Sequence, residues 1–187
     1  MAGSPFDGAV LTGGASHRMG RDKALIEVDG RPLVQAAADA LIAGGASEVV
    51  LIGGDAVALA PSGLYIVADR WPGEGPLGGV ITALDRPGHD VVVILACDQP
   101  GAAGLAVASV AGALGRADVA VPNVGGRRQW MHAAWRRNAV GPLLAAFEAG
   151  ERSLHRAVSS LEMTEVLDGD PCWYADVDRP DDLMNWD

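Results

Sequence analysis

The chain has 187 residues, enough to bury one full core and short for two domains of ordinary size, so one domain spanning 1–187 is expected. Hydrophobic residues make up 49% and charged residues 20%, a balance that excludes a disordered chain. The formal net charge of −10 repels a phosphate backbone, and the basic pairs Arg127-Arg128 and Arg136-Arg137 are too short to override it, so no nucleic-acid partner is expected.

Short apolar runs alternate with longer segments of helical pattern. Strands are expected at Ala9–Leu11, Val49–Ile52, Tyr65–Val67, Val91–Leu95, Val119–Val121 and Met131–Trp135, with a last strand-helix unit from Asp176 onward. Helices are expected over Leu33–Ala43, Val80–Leu84, Leu105–Leu114, Gly141–Ala149 and Leu154–Leu161, where Ala and Leu dominate. The run from Val91 to Leu95 is apolar at every position, as in a parallel strand covered on both faces, and is expected at the centre of the sheet. The pattern predicts a mostly parallel α/β sandwich, in which ligands bind beyond the carboxyl ends of the strands. Cys97 and Cys172 have no CxxC spacing, so neither a zinc site nor a disulfide framework is indicated. The first seven residues have no basic stretch leading into an apolar one, and no apolar run reaches membrane length. A cytoplasmic protein without a membrane partner is therefore expected.

After the first strand comes the loop from Leu11 through Thr12, Gly13 and Gly14 to Arg18 and Lys23. The two glycines remove the side chains that would hold a polyphosphate away from backbone N–H groups, and the two cations could follow its charge. On composition alone the loop is either an anion site or a glycine-rich turn with solvated cations. A Walker A motif is excluded because Gly20 is followed by Arg21, and the G-x-G-x-x-G pattern is missing. Asp98 follows the most apolar strand after Ala96 and Cys97, which suits either a magnesium ligand at the sheet edge or a helix N-cap. Asp176 and Asp178 alternate on the expected last strand and share a face, so they could supply a second carboxylate or cap the helix that follows.

The full pattern, an apolar strand, Gly13-Gly14, then Arg18, Met19, Gly20, Asp22 and Lys23, resembles the signature of the MobA-like nucleotidyltransferases, the family that includes the molybdenum cofactor guanylyltransferases. The likeness continues in order through Gly30 to Leu33, Asp69, Gly75 to Gly79, Cys97 to Pro100, Gln129 to Arg137, Gly150 to Ser153 and Asp176 to Leu183. It implies a Rossmann-like three-layer α/β/α fold and transfer of GMP from GTP to molybdopterin-bound molybdenum, with release of pyrophosphate. By the same likeness Lys23, Arg18 and Asp98 are catalytic, and Asp98 is the ligand of Mg²⁺, with Asp178 as a second candidate. The nucleotide would lie on Leu11, Thr12, Gly13, Gly14, Lys23, Asp69, Gly75, Pro76, Leu77, Gly78 and Asp98.

The second substrate is expected at Gln129, His132, Arg152, Asp176 and Asp178, with Arg127, Arg128, Arg136 and Arg137 around them; such cations could hold an anionic pterin phosphate, although by residue type a lone histidine and surface arginines are more often structural or solvated. A molybdenum-cofactor insertion protein or the molybdoenzyme that receives the product would be the protein partner. Two departures bear on the substrate. Guanylyltransferases of the family commonly carry asparagines where Asp176 and Asp178 stand, which leaves a CTP-dependent molybdenum cofactor cytidylyltransferase or a sugar-phosphate nucleotidyltransferase as the alternative. Trp130 replaces the family's usual proline. Gly13-Gly14 together with Gly75 to Gly79 favours GTP over CTP, and the presence of both Lys23 and Asp98 weighs against a non-catalytic nucleotide-binding module.

Overall fold

Phe6–Leu11 forms a strand of six consecutive buried residues, β1, as expected of a strand covered on both faces. The computed structural model describes residues 4–13, 23–167, 169–177 and 182. After β1 come a small hairpin, β2 (Glu27–Val28) and β3 (Arg31–Pro32), then α1 (Leu33–Ala43), β4 (Val49–Ile52), α2 (Ala56–Leu59), β5 (Tyr65–Val67), α3 (Pro76–Leu84) and β6 (Val91–Ala96). The second half contains α4 (Gly104–Ala113), β7 (Val119–Val124), β8 (Arg127–Arg128), β9 (His132–Arg136), α5 (Val140–Glu148), α6 (Leu154–Ala157) and β10 (Met163–Val166).

Among the described residues the main sheet runs in the order β10, β7, β9, β6, β1, β4, β5, with β8 paired to β7. β1 is parallel to β4 and β6, β4 to β5, and β10 to β7. Within that order only β9 is reversed, lying antiparallel between β6 and β7. On one face α1 and α4 bury Val34, Leu41, Val107 and Val110 against Val10, Leu51, Val93 and Leu95. On the other, α3, α5 and α6 bury Leu77, Ile81, Leu143, Phe147 and Leu154 against Ala9, Leu11, Val50 and Ile94. Alternation along β1 thus feeds both cores, and the result is the three-layer, mostly parallel α/β/α sandwich that the apolar runs predict.

Three expectations change. β10 was not expected, because Met163, Thr164, Glu165 and Val166 read as a mixed run; pairing with β7 makes it a strand. The segment from Ala175 to Val177 is in no strand, and the residues from Asp178 on, apart from Asp182, lie outside the described ones. The expected helix Leu154–Leu161 is one turn of α-helix to Ala157 followed by a 3-10 turn, Val158–Ser160.

Register decides which loops meet. Leu11 pairs with Ile52 on one side and Ala96 on the other, and Ile52 pairs with Val67, so these four strand ends form one row. The residues that follow, Thr12 and Gly13, Gly53 and Gly54, Asp69, and Asp98, therefore share one edge. Reversed β9 begins at that edge, with His132 opposite Leu95. At the opposite edge Asp7, almost wholly buried, accepts hydrogen bonds from the His89 N–H at 2.8 Å and from Arg137 Nη2 at 2.9 Å, tying β1 to the loops beneath it.

Candidate active site

The chain after β1 is fixed by Thr12, whose N–H donates to the Ile52 carbonyl at 3.0 Å and whose hydroxyl lies 3.0 and 2.9 Å from the carbonyls of Ile52 and Gly53. Leu11 keeps its side chain in the core, while its carbonyl accepts from the Cys97 N–H at 3.1 Å, linking the first loop to the Asp98 loop. Gly53 has a positive φ of 78°, and a Cβ there would stand 3.2 Å from the Cα of Gly13, so the two loops touch through backbone alone. A Cβ on Gly13 would meet Asp69 Oδ2 at 3.9 Å, which sets Gly13 beside that carboxylate. Gly14 and Arg18 lie outside the described residues.

Asp69 is held by its own turn. Its Oδ1 accepts from the Trp71 N–H at 3.1 Å and lies 3.0 Å from the Thr82 hydroxyl on α3. The chain then turns through Gly75, at φ 89°, into α3 with Pro76 in its first turn, where the missing N–H costs nothing. The four residues Gly75 to Gly78 divide. Gly75 and Pro76 are exposed beside the loop, whereas Leu77 is in the core and Gly78 lies close under Trp71, where a Cβ would meet its Cβ at 3.3 Å.

Asp98 extends from the end of β6 to Lys23, whose Nζ lies 2.8 Å from Oδ2, both side chains being only partly exposed at 15% for lysine and 23% for aspartate. α4 starts six residues later at Gly104 with Ala103 preceding it, so Asp98 is not a cap of that helix. Its carbonyl accepts from the Val177 N–H at 2.9 Å, which brings the exposed Asp176 to the same loop. Asp178 lies outside the described residues. Among the described residues no group of three His, Cys, Asp or Glu side chains gathers as a metal cage.

The expected second-substrate residues occupy different depths. His132 has no exposed surface, and its Nδ1 lies 3.2 Å from Oε1 of Gln99, itself 3% exposed. Burial pushes its pKa down to about 3, so the ring is neutral, and the contact with a carbonyl oxygen puts the proton on Nδ1. His132 thus lies beneath the Asp98 loop and supports Gln99, instead of reaching outward. Gln129 lies in a turn, its N–H donating to the Pro122 carbonyl at 2.8 Å. Arg152 lies beside the start of α3. Its Nε donates to Glu74 at 2.6 Å, its guanidinium covers Phe147 at 3.9 Å, and its carbonyl lies 3.8 Å from where a Gly75 Cβ would be.

Sequence reasoning did not single out Gly53, Gly54, Thr82 or Gln99. The first two left a signal, a Gly-Gly pair directly after an apolar run, one position nearer the strand than Gly13 and Gly14, and Gln99 lies within the Cys97 to Pro100 stretch of the family likeness. Thr82 and Gln99 matter through partners far away in sequence, which no spacing reveals.

Comparison with known proteins identifies the family and the fold. Residues 8–165 match the model of the MobA-like NTP transferase domain. A protein of Chloroflexus aggregans named "Probable molybdenum cofactor guanylyltransferase" is 32% identical over 190 residues, which cover 95% of this chain and 91% of that one. Among solved structures, molybdopterin-guanine dinucleotide biosynthesis protein A from Archaeoglobus fulgidus superposes with a TM-score of 0.80 at 21% identity, covering 95% of both chains. The fold is shared too with Rv0371C from Mycobacterium tuberculosis, solved in complex with manganese, at a TM-score of 0.74, 19% identity and 97% of both chains. The chain belongs to the MobA-like NTP transferase family.

Proposed function

We propose that the chain, acting as one nucleotidyltransferase domain, transfers GMP from GTP to the terminal phosphate of molybdopterin-bound molybdenum and releases pyrophosphate. The observation that carries the reading is the meeting of Lys23, Asp98, Thr12, Gly13 and Asp69 with the start of α3 on one sheet edge. A phosphate oxygen of the acceptor attacks the α-phosphorus of GTP as the bond from that phosphorus to the bridging oxygen breaks. The nucleophile is already an anion, so no general base is needed. What the protein must supply is in-line placement and positive charge at the α-phosphate and leaving group.

Lys23 Nζ, 2.8 Å from Asp98 in this structure, is the cation placed to follow that charge; Arg18, outside the described residues, is assigned the same role by the family likeness. The amides from Thr12 through Gly14 and at the start of α3 cradle the phosphates, and Asp69 lies against the nucleotide. A divalent cation fits the donor set. Asp98 presents a hard oxygen that already accepts a cation, and Mg²⁺ takes one or two carboxylates with phosphate oxygens and water completing its shell. We assign Asp98 as its protein ligand, with Asp178 a second candidate; when bound, Mg²⁺ supplies charge neutralisation at the phosphates. Asp176, on the Asp98 loop, and Arg152, beside Gly75, are assigned to the acceptor together with Gln129, and His132 supports the loop from below; Asp178, outside the described residues, is assigned to it by the family likeness alone.

The names of the similar proteins and the Gly13-Gly14 and Gly75 to Gly79 pattern support GTP as donor. Asp176, where guanylyltransferases of the family commonly have asparagine, favours the second reading, a CTP-dependent sibling. A cytoplasmic setting suits both; no helix of the described residues is long and apolar enough to cross a membrane. Isothermal titration with GTP and CTP, each with and without Mg²⁺, tests the proposal. Magnesium-enhanced binding of GTP alone is expected, and binding of CTP alone overturns the guanylyl assignment in favour of the sibling.

A further inference from the structure

A groove of about 420 Å³, within the size range of small-molecule sites, is lined by Asn123, Gly126, Arg127, Arg128, Trp130 and His155. Its position follows from the topology. β7 and β8 form a hairpin turned by Gly125 at φ 57° and Gly126 at φ 83°, the pair of left-handed residues a type I′ turn requires. The chain returns through a turn closed by the His132 N–H on the Gln129 carbonyl at 2.9 Å. Trp130 is inside that turn, and the next residue, Met131, accepts from the Ala96 N–H at 2.9 Å, two residues before Asp98. On its other side the groove is bounded by His155, three residues beyond the Arg152 that abuts Gly75. The segments that line the groove thus run on to Met131, bonded beside the Asp98 loop, and back to Arg152, beside the start of α3.

Its walls are unusual for a chain of net charge −10. Trp130 is half-buried, its indole leaning on buried Trp135 at 6.4 Å between ring centroids and approached by His155 at 6.2 Å. The Arg128 guanidinium lies 6.0 Å from the Trp130 ring and is held in place by Glu165 at 2.6 Å. Glu165 also accepts from Asn123 Nδ2 at 2.7 Å, and that hydrogen bond, followed by those from Arg128, holds its carboxyl below the usual range. Glu165 is thus committed to Asn123 and Arg128. Arg127, exposed on β8, has neither a side-chain hydrogen bond nor an ion pair among the described residues. An indole fixed from behind, with an uncommitted guanidinium beside it, matches a planar, nitrogen-rich aromatic ring: the indole stacks, and the guanidinium donates to ring nitrogen and carbonyl acceptors.

We propose that this groove seats the pterin ring of the acceptor, stacked on Trp130 with Arg127 donating to the ring's far edge and the phosphate-bearing side turned toward Asp98. The inference rests on the acceptor being a pterin phosphate, as in the function proposed above, but assigns its ring to residues outside the set named there.

The test is titration of the full chain with 6-hydroxymethylpterin phosphate, followed by calorimetry, in wild type and in Trp130→Ala, Trp130→Phe and Arg127→Ala. Stacking on an aromatic side chain is worth enough that Trp130→Ala should weaken the probe about tenfold, while Trp130→Phe stays within about threefold of wild type. Arg127→Ala should weaken it about fivefold, and its exposure protects the fold from the change. GTP titrated into the same samples should bind unchanged, which reports an intact domain. Probe binding equal to wild type in Trp130→Ala and Arg127→Ala, or no probe binding by wild type, overturns the inference while leaving the nucleotide result to judge the proposed function. Failure of wild type to bind GTP defeats that function without touching the reading of the groove, which the probe titration judges separately.

Discussion

Acidification should expose the cost of burying His132. In the folded chain its ring has no exposed surface and its pKa is pushed from 6.5 to about 3 by burial. An unfolded chain takes up a proton at this residue below about pH 6.5, and the folded chain does not do so until about pH 3. Across that window the unfolded state binds more protons, so the stability contribution is complete above pH 6.5 and declines as the pH falls. At about 1.4 kcal/mol per pH unit the loss is about 2 kcal/mol at pH 5 and approaches about 5 kcal/mol at the lower limit. The assay is urea unfolding of wild type and His132→Leu at pH 7.5 and pH 5.0. Leucine leaves Gln99 without its donor, which lowers stability at both pH values, but it does not titrate. The difference between the two pH values should therefore be about 2 kcal/mol larger in wild type than in the variant. Equal pH dependence would refute the reasoning, because it would mean that the ring titrates normally and is open to solvent.

Asp98→Ala should abolish turnover, and excess Mg²⁺ should not restore it; Lys23→Ala should weaken GTP at least tenfold and lower the rate, so unchanged steady-state kinetics in either variant would remove that residue's role. Asp7→Asn should cost about 3 kcal/mol, because Arg137, its side chain only 14% exposed, loses its charged partner at the sheet edge opposite the site. Burial raises the Asp7 carboxyl, but the bonds from His89 and Arg137 together bring it below its ordinary value. Its stabilisation is thus present above the unfolded pKa and lost as pH falls through the lowered folded one. Denaturation at pH 7.5 checks the cost, with GTP titration expected unchanged; a loss under about 1 kcal/mol would contradict the reading. Gly104→Ala should destabilise by about 2 kcal/mol, since a Cβ there would lie 2.8 Å from the Ala43 carbonyl carbon where α1 and α4 cross, and an undiminished thermal midpoint would disprove so close an approach.

Much of the fold was legible because its signals are local. An all-apolar run such as Val91 to Leu95 can be satisfied only by cover on both faces, and that demand is written in the run itself. The same holds for the first loop, where Gly13 and Gly14 follow an apolar strand after Thr12 alone, and for Asp98, two residues past another strand. Proximity along the chain was enough to nominate them.

What tertiary structure alone decided is which nominees meet and which way they face. β10 exists because β7 offers it an edge, not because of its own pattern. Asp98 could cap a helix or serve the site until α4 proved to begin at Gly104 and Lys23 proved to lie 2.8 Å away, 75 positions earlier in the chain. His132, a candidate for the second substrate although a lone histidine is more often structural, is a buried support for Gln99 because reversed β9 turns its first side chain into the layer beneath the loop. Side-chain direction at such positions depends on strand order and register, and these are set by the summed burial of two cores, a property of the whole chain that no local window contains.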